Sequence, residues 1–263
     1  MKLPFGAAAA PEKLKQPRTT QFPEMHCGEV AALYRAARVG GDYYDFVISG
    51  EKLVFILMDV AGQRDHALSI AAAVQEVLHK RAPGLLHDRA DEQAVTGLAL
   101  ELNRVVLDSA HGVCSAPAFV GCYDQEIHTV TYVNAGHTPG LLKDAKGVLA
   151  LEPNGLPFGL FSHATHDAQY CTLSPGAILL LSSRGLVETR SNNIEFGMNR
   201  LREALTTAQG EHAISVCREV IEAVERYEKG PQSASSKIAA AVPGLRPPEP
   251  NDVTTVALLR NLS

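Results

Sequence analysis

The stretch Leu53-Val54-Phe55-Ile56-Leu57-Met58-Asp59 decides the fold class of this chain. Its six consecutive apolar residues predict a strand that is covered on both faces, because a half-exposed strand would alternate apolar with polar residues. The strand ends in Asp59, which places a carboxylate at the edge of a core. Since a buried carboxylate without a partner is costly, Asp59 is expected to be paired.

Helices and further strands are predicted around this strand. Apolar residues at helical spacing predict a helix over 66–80, which Pro83-Gly84 is expected to end, and a second helix over 91–109. Further strands are predicted over 116–124, 127–134, 168–173, 177–181 and 253–260, and further helices over 195–206 and 211–228. Because the helices come in pairs and do not alternate singly with strands, we expect an α+β fold of mainly antiparallel sheets with helices packed outside.

The composition is that of a globular protein. The chain has 263 residues, of which 46% are hydrophobic and 20% charged, and this suffices to bury a core without disulfides. The net charge of −5, with no long run of one sign, gives no electrostatic case for nucleic acid or an anionic membrane, and no apolar run reaches transmembrane length. Scattered cysteines, odd in number, predict reduced thiols in a cytoplasmic protein: Cys27, Cys114, Cys122, Cys171 and Cys217.

Two segments are predicted to lie outside the packed core. Residues 1–22 are rich in Ala, Pro, Lys and Thr and are expected to form a flexible N-terminal arm. Residues 230–250 are rich in Ser, Ala and Pro and are expected to form a long loop. The chain from 23 to 263, with that loop included, is expected to be one domain.

Three motifs carry a resemblance to a known family. They are Gly40-Gly41-Asp42-Tyr43-Tyr44-Asp45, Met58-Asp59-Val60-Ala61-Gly62 and Tyr132-Val133-Asn134-Ala135-Gly136-His137. Together they resemble the metal-dependent protein phosphatases (PPM), and most of all the bacterial branch named after the stage II sporulation protein E. The resemblance covers about residues 24–262 and implies an α-β-β-α sandwich, in which two stacked sheets are flanked by helix pairs.

The resemblance also implies a metal site. Hydrolysis of a phosphate ester needs an activated water and cations that take up negative charge, and two divalent ions can supply both. Mn²⁺ and Mg²⁺ prefer carboxylate, carbonyl and water oxygens. By resemblance, Asp42 and Asp59 are catalytic metal ligands, and the Val60 carbonyl is a third ligand. Taken alone, Asp42 is better explained as a turn aspartate, and Asp59 as a helix-capping or salt-bridged acid.

Two segments depart from the family pattern, in which Thr-Asp-Gly and Asp-Asp-x-Thr supply further ligands. Here they read Ser183-Arg184-Gly185 and Asn251-Asp252-Val253-Thr254. An arginine and a neutral amide therefore stand where the family has aspartates. Because successive side chains on a strand face opposite ways, Asp252 is a candidate ligand only if the chain shifts.

The charge balance predicts a weakened metal site. The family site would set four aspartates against two divalent ions, whereas this chain offers Asp42, Asp59 and, with the shift, Asp252. Arg184 adds a positive charge that repels a cation. We therefore predict at most one tightly bound Mn²⁺ or Mg²⁺. The Arg184 guanidinium is expected to form an ion pair with Asp59 or Asp42 at the position of the second ion. The alternative is that it turns to solvent.

Other polar residues in and near the motifs are interpreted as structural. His137 lies in a turn that resembles the family's Asn-Ala-Gly-His-x-Pro, and it is expected to organise the loop rather than act as a general base. His163 and His166 have a spacing seen in metal sites, but no partner motif accompanies them, and both are expected on the surface. Asp45 is expected to bond to loop amides.

Two functions remain open from the sequence. The first is a PPM-type serine/threonine protein phosphatase of bacterial signalling with an impaired metal site and weak activity. By resemblance, its substrate is a phosphoserine or phosphothreonine protein, often an anti-sigma factor antagonist. The alternative is a catalytically inactive pseudophosphatase that binds a phosphoprotein or regulates a partner. Arg184 and Asn251 are the residues that discriminate the two, while a hydrolase of another type has no motif in its favour.

Overall fold

A computed structural model of the chain describes residues 21–35, 41–60, 64–110, 115–230 and 252–262. The expected arm up to residue 20 and the expected loop over 231–250 lie outside the described residues. The strands and helices, in chain order, are β1 (Gly28–Arg35), β2 (Asp42–Ser49), β3 (Lys52–Asp59), α1 (Arg64–Asp88), α2 (Asp91–Ala110), β4 (Ala118–Asp124), β5 (Thr129–Ala135), β6 (Gly140–Asp144), β7 (Gly147–Leu151), β8 (Gln169–Thr172), β9 (Ile178–Ser182), α3 (Arg184–Val187), β10 (Arg190–Ser191), β11 (Ile194–Glu195), α4 (Gly197–Thr207), α5 (Ala213–Glu228) and β12 (Val253–Arg260).

Two five-stranded sheets form the centre of the fold. The first sheet has the strand order β2-β3-β4-β5-β8, and the second has the order β1-β12-β9-β6-β7. Neighbouring strands within both sheets pair antiparallel. A short hairpin of β10 and β11 follows α3. The long apolar strand predicted from Leu53 to Asp59 is β3, an inner strand of the first sheet.

Three hydrophobic layers hold these elements together. The inner faces of the two sheets meet in one layer that includes Phe55, Phe119, Leu181 and Val256. The outer face of the first sheet packs against α1 and α2, and that of the second sheet packs against α4 and α5. The predicted α+β class and the α-β-β-α sandwich are thus confirmed.

The first helix is longer than predicted. The sequence indicated an end before Pro83-Gly84, whereas α1 continues to Asp88. Proline removes one backbone donor from a helix, but Leu85 and Leu86 beyond it are buried in the layer shared with α2. Burial of these two leucines, at about 1.5–3 kcal/mol each, is sufficient to offset the loss.

The packed part of the chain includes Phe22, which the sequence had placed at the end of the arm. Its ring meets that of Phe46 edge-to-face, with the centroids 6.1 Å apart.

Of the helices in the described ranges, none combines the length and the apolar character needed to cross a bilayer.

Candidate active site

Asp42 and Asp59, called the acid pair below, lie directly opposite each other on β2 and β3. The pairing is fixed on both sides: the Val60 N–H donates to the Gly41 carbonyl at 2.8 Å, and the Asp59 N–H donates to the Pro117 carbonyl at 2.9 Å. Since β3 is held between β2 and β4, the end that carries Asp59 is rigidly placed. The family resemblance implied that both carboxylates serve one metal site, and the strand register brings them together.

Both carboxylates face the layer between the two sheets. Tyr44 lies in that layer, and Asp42 is two residues before it on the same strand. Leu57 lies in the layer as well, and Asp59 is two residues after it. Because side chains alternate along a strand, the acid pair continues the inner face of the first sheet at its polar end.

Oxygen atoms also gather over Gly41. A methyl group placed on its Cα would lie 3.7 Å from the Val60 carbonyl oxygen and 3.8 Å from Asp59 Oδ1. The two oxygens therefore face the same side of the Gly41 backbone, where glycine leaves the space open. This places the predicted carbonyl ligand, Val60, beside the predicted carboxylate ligand, Asp59.

The second sheet supplies hydroxyl groups to this end of the layer. The Thr254 hydroxyl donates to Asp42 Oδ2 at 2.6 Å, and the Ser183 hydroxyl also hydrogen-bonds to Asp42. Thr254 and Ser183 hold each other, because the Ser183 N–H donates to the Thr254 carbonyl at 2.9 Å and the Thr254 N–H donates to Ser183 Oγ at 3.0 Å. The two sheets are thus joined at the site through the Asp42 carboxylate.

The electrostatics of Asp42 are those of a crowded, buried acid. Its side chain is 4% exposed. Burial, followed by the charge of Asp59 and more weakly that of Asp252, raises the pKa of Asp42 to about 7, while the bonds from Thr254 and Ser183 act in the opposite direction. A positive charge near the acid pair would relieve this repulsion.

Asp252 is buried and close enough to influence Asp42. It immediately precedes β12, two residues before Thr254, whose side chain reaches Asp42. Its role as a ligand stays a prediction. Asn251 lies outside the described residues.

Arg184 occupies a different position from the one that the sequence favoured. It begins α3 directly after Ser183, and its Nε donates to Glu188 Oε1 at 2.6 Å. The side chain is 64% exposed. The ion pair with Glu188 raises the pKa of Arg184, and the charge of Asp59 acts in the same direction to a smaller degree. The contact that orients the guanidinium is thus with Glu188, and the predicted alternative, an arginine turned to solvent, describes it better.

Comparison with known proteins agrees with this geometry. The sequence model of the Stage II sporulation protein E (SpoIIE) family matches residues 49–234, which is well over half of the chain. The chain belongs to the SpoIIE family. The matched range contains Asp59 and Arg184 but neither Asp42 nor Asp252.

Two curated relatives of this SpoIIE-family chain were found. One is "Phosphoserine phosphatase RsbU" of Bacillus subtilis (strain 168), which is 28% identical over 177 residues, or 66% of this chain and 51% of RsbU. The other is "Protein IcfG" of Synechocystis sp., which is 25% identical over 209 residues, or 70% of this chain and 33% of IcfG. The chain thus spans about half or less of the length of these relatives.

Solved structures of phosphatase domains share the fold. The RsbU and RsbW domains of Rv1364c from Mycobacterium tuberculosis superpose with a TM-score of 0.68 at 22% identity, covering 89% of this chain and 62% of theirs. The SiaA-PP2C domain of Pseudomonas aeruginosa gives a TM-score of 0.67 at 14% identity, covering 88% and 85%. The catalytic domain of the serine threonine protein phosphatase PstP, solved in complex with two manganese ions, gives 0.62 at 13%, covering 89% and 99%.

The oxygens at the site are of a type that suits a hard divalent ion. The acid pair and the Val60 carbonyl are of the donor type that Mn²⁺ and Mg²⁺ prefer, and two of these oxygens face the open side of Gly41. Within the described part of the chain, no three His, Cys, Asp or Glu side chains are gathered as a ready metal cluster.

The histidines fall outside this site. His137 is buried, and its N–H donates to Asn134 Oδ1 at 2.8 Å. Burial lowers the pKa of His137 to about 4, which keeps it neutral and supports the predicted role in the loop. His163 is exposed, as predicted. His166 is not, since it is 1% exposed and packs edge-to-face on Phe158, so its predicted surface position is wrong.

Asp45 is structural, although its partners differ from the predicted loop amides. It faces α1, and its Oδ2 accepts hydrogen bonds from the Tyr43 hydroxyl at 2.9 Å and from Gln75 Nε2 at 3.1 Å, with His79 Nε2 at 2.8 Å. Burial alone would raise the pKa of Asp45, but the bonds from His79 and Gln75 outweigh it and lower that pKa. Asp45 thus fastens α1 to the sheet beside the site.

The hydroxyl pair Ser183 and Thr254 was not predicted from the sequence. A signal was present, because each lies at the end of a predicted buried strand, where an uncharged donor can serve a carboxylate on a facing strand. The strand ends could be identified from the sequence, but their partner across the layer could not.

Proposed function

We propose that this chain is a phosphatase domain that removes phosphate from phosphoserine or phosphothreonine of a protein in bacterial signalling, with one tightly held divalent ion and slow turnover. The observation that carries the proposal is the acid pair, held in register at the polar end of the layer between the sheets, while the second sheet presents Arg184 where the family has an aspartate. The first feature supports metal-dependent chemistry, and the second supports its weakness.

The relatives support the reaction class. RsbU carries the name of a phosphoserine phosphatase and shares 28% identity with this chain over 177 residues. Because the chain spans about half of RsbU, the substrate and partners of the whole relative are not transferred by identity alone. We propose a phosphorylated signalling protein, such as an anti-sigma factor antagonist, as the substrate class, and the cytoplasm as the location.

The residues of this chain would divide the work as follows. Asp42 and Asp59, with the Val60 carbonyl, would hold Mn²⁺ or Mg²⁺, and a bound ion would supply charge stabilisation and a more acidic water. Thr254 and Ser183 fix the orientation of the Asp42 carboxylate. Phosphoryl transfer depends mainly on positioning and charge stabilisation, so fixing these ligands matters more than any covalent step.

Slow turnover follows from the second sheet. The family pattern would place an aspartate at position 184, and a second cation there would share the charge of the reacting group. Arg184 is itself a cation, but it cannot lower the pKa of a water as a metal ion does. We therefore expect hydrolysis well below that of a family member with all four aspartates.

A second candidate function is a pseudophosphatase that binds a phosphoprotein without turnover. One observation favours it: the Thr254 hydroxyl, at 2.6 Å, and the Ser183 hydroxyl already satisfy the Asp42 carboxylate. A carboxylate that is served by hydroxyl donors depends less on a metal ion for its stability. In that case the domain would keep the fold and bind a phosphoprotein partner without hydrolysing it.

The decisive experiment combines calorimetry with a hydrolysis assay. Mn²⁺ is titrated into the metal-free protein, and phosphate release from a phosphoserine peptide is measured at each Mn²⁺ concentration. One tight ion and slow, Mn²⁺-dependent release support the proposal. Asp59→Asn should abolish both signals, whereas Asp88→Asn, an exposed acid at the end of α1, should leave both unchanged. Two tight Mn²⁺ sites with brisk turnover would contradict the one-ion proposal, and ion binding without release would favour the pseudophosphatase.

A further inference from the structure

The Arg184 side chain is largely accessible to solvent. It is 64% exposed, and its Nε donates a hydrogen bond to Glu188 Oε1 at 2.6 Å. A ligand that arrives from solvent can therefore reach the guanidinium, which presents its N–H donors in a planar fork.

The position of Arg184 relative to the acid pair is set by the backbone. It directly follows Ser183, whose hydroxyl bonds to Asp42 and whose N–H bonds to the Thr254 carbonyl. The charge of Asp59 also acts on Arg184. A negatively charged ligand at the acid pair would therefore interact with the charge of Arg184.

The charges around Arg184 are balanced rather than strongly positive. Arg190 donates to Glu195 at 2.6 Å in the adjacent hairpin, and the Arg184–Glu188 pair lies one helical turn across. Exposed ion pairs of this kind contribute little to stability, so Arg184 can leave Glu188 at small cost. The phosphoryl dianion is a stronger partner than one carboxylate, because it offers more oxygens to the guanidinium fork.

We propose that Arg184 binds the phosphoryl group of the phosphoserine or phosphothreonine substrate and that Glu188 competes for the same guanidinium in the free protein. The proposal rests on the proposed function for its ligand class. It makes Arg184 a substrate-binding replacement for a lost metal ligand, and it makes Glu188 a residue that lowers the affinity for phosphate until a substrate displaces it.

The test measures binding rather than turnover. A fluorescein-labelled phosphoserine peptide is titrated with protein in Mn²⁺, and inorganic phosphate is used to displace it. Arg184→Ala should weaken peptide binding about tenfold, as expected for the loss of a charge-assisted bond. Arg184→Lys should weaken it less. Glu188→Gln should strengthen binding about threefold, and it should have no effect when combined with Arg184→Ala.

A matched control comes from another exposed pair, Lys80–Glu76 on α1, which has the same i,i+4 spacing. Lys80→Ala and Glu76→Gln should leave peptide binding unchanged. Thermal melting of every variant confirms folding, and Arg184→Lys and Glu188→Gln remain informative if Arg184→Ala melts early.

The outcomes separate this inference from the proposed function. If the wild type binds the phosphopeptide through Arg184 but releases no phosphate, the proposed hydrolysis is wrong and phosphate binding by Arg184 is supported. If the wild type hydrolyses the peptide while Arg184→Ala binds peptide and inorganic phosphate as tightly as the wild type, phosphate binding by Arg184 is wrong and the phosphatase function is supported. Weaker peptide binding by Glu188→Gln would contradict the proposal that Glu188 competes with phosphate for Arg184.

Discussion

The two sheets contribute to the site in opposite ways. The first sheet carries the oxygens proposed as metal ligands: paired Asp42 and Asp59, and the Val60 carbonyl beside them. The second sheet supplies Ser183 and Thr254 as hydroxyl donors and turns Arg184 toward Glu188. One half of the site is therefore built to attract a cation, and the other half is built to satisfy a carboxylate without one.

This difference indicates that metal binding and folding are separable in this chain. In a site of four aspartates, the carboxylates repel one another until metal ions arrive. Here the hydroxyls of the second sheet reduce that repulsion at Asp42, although the pKa of Asp42 still reaches about 7 because of burial and Asp59. Substitutions in each sheet measure how far that sheet determines the behaviour of the site.

The largest effect is expected from the first sheet. Asp59→Asn removes one carboxylate of the acid pair and should lower Mn²⁺ affinity below detection by calorimetry, because the Val60 carbonyl and Asp42 alone offer a single charge. The same change lowers the pKa of Asp42, since it removes the neighbouring negative charge. Tight Mn²⁺ binding by Asp59→Asn would show that the ion binds elsewhere and would contradict the role given to the first sheet.

The second sheet should gain metal binding when its acids are restored. Arg184→Asp combined with Asn251→Asp is expected to raise Mn²⁺ affinity and phosphate release together, by about tenfold or more. Each single change should raise the logarithm of either quantity by less than half as much, because both residues would complete one shared site. Titration of all four proteins gives the interaction energy directly. An inactive double variant that binds two ions would show that the defect lies outside the ligand set.

The contribution of Asp42 to the stability of the metal-free protein should fall as the pH rises from about 4 to about 7. The pKa of Asp42 is raised from 3.8 to about 7 in the folded state, so over this range its carboxyl group binds more protons in the native state than in the unfolded chain, and its contribution to stability falls with pH. His137 acts in the opposite direction, because burial lowers its pKa from 6.5 to about 4. The Asp42 contribution amounts to a few kcal/mol at most. Chemical denaturation of the wild type and of Asp42→Asn at several pH values measures it as the difference between the two profiles, and a difference that does not change with pH would contradict it. Mn²⁺ should restore stability near pH 7 in the wild type.

The smallest effect concerns the bond between the sheets. Thr254→Val removes the donor to Asp42 Oδ2 and should cost about 1–2 kcal/mol at neutral pH, with a further rise in the pKa of Asp42. Thr255→Val is the matched control, because Thr255 is equally buried but faces the opposite layer. If both variants lose the same stability, the Thr254 hydroxyl has no special role at Asp42.

Much of the fold and half of the site could be predicted from the sequence. The apolar run of β3 ending in Asp59 identified a buried strand, and the motif around Asp42 identified its partner, because a hairpin brings neighbouring strands into register. By contrast, β6 and β7, over 140–151, were not predicted. Their apolar residues form runs too short to separate from a loop.

The rest depended on contacts across the layers. The local sequence does not indicate that α1 continues past Pro83 because Leu85 and Leu86 are buried. It also does not indicate that His166 is buried against Phe158. The orientation of Arg184 could not be predicted from the sequence either, because Glu188 and Asp59 are both possible partners. Its bond to Glu188 depends on α3 beginning at Arg184.

The bond between Thr254 and Asp42 joins residues that are 212 positions apart in the chain, whereas the acid pair comes from two adjacent strands. During synthesis the acid pair can therefore form early, as a local hairpin, while its hydroxyl partner arrives only with the last strand of the fold, β12. Contacts of such long range close late, because the entropy of the intervening loop must be lost first. Until β12 is in place, the chain therefore holds two facing carboxylates without the Thr254 donor.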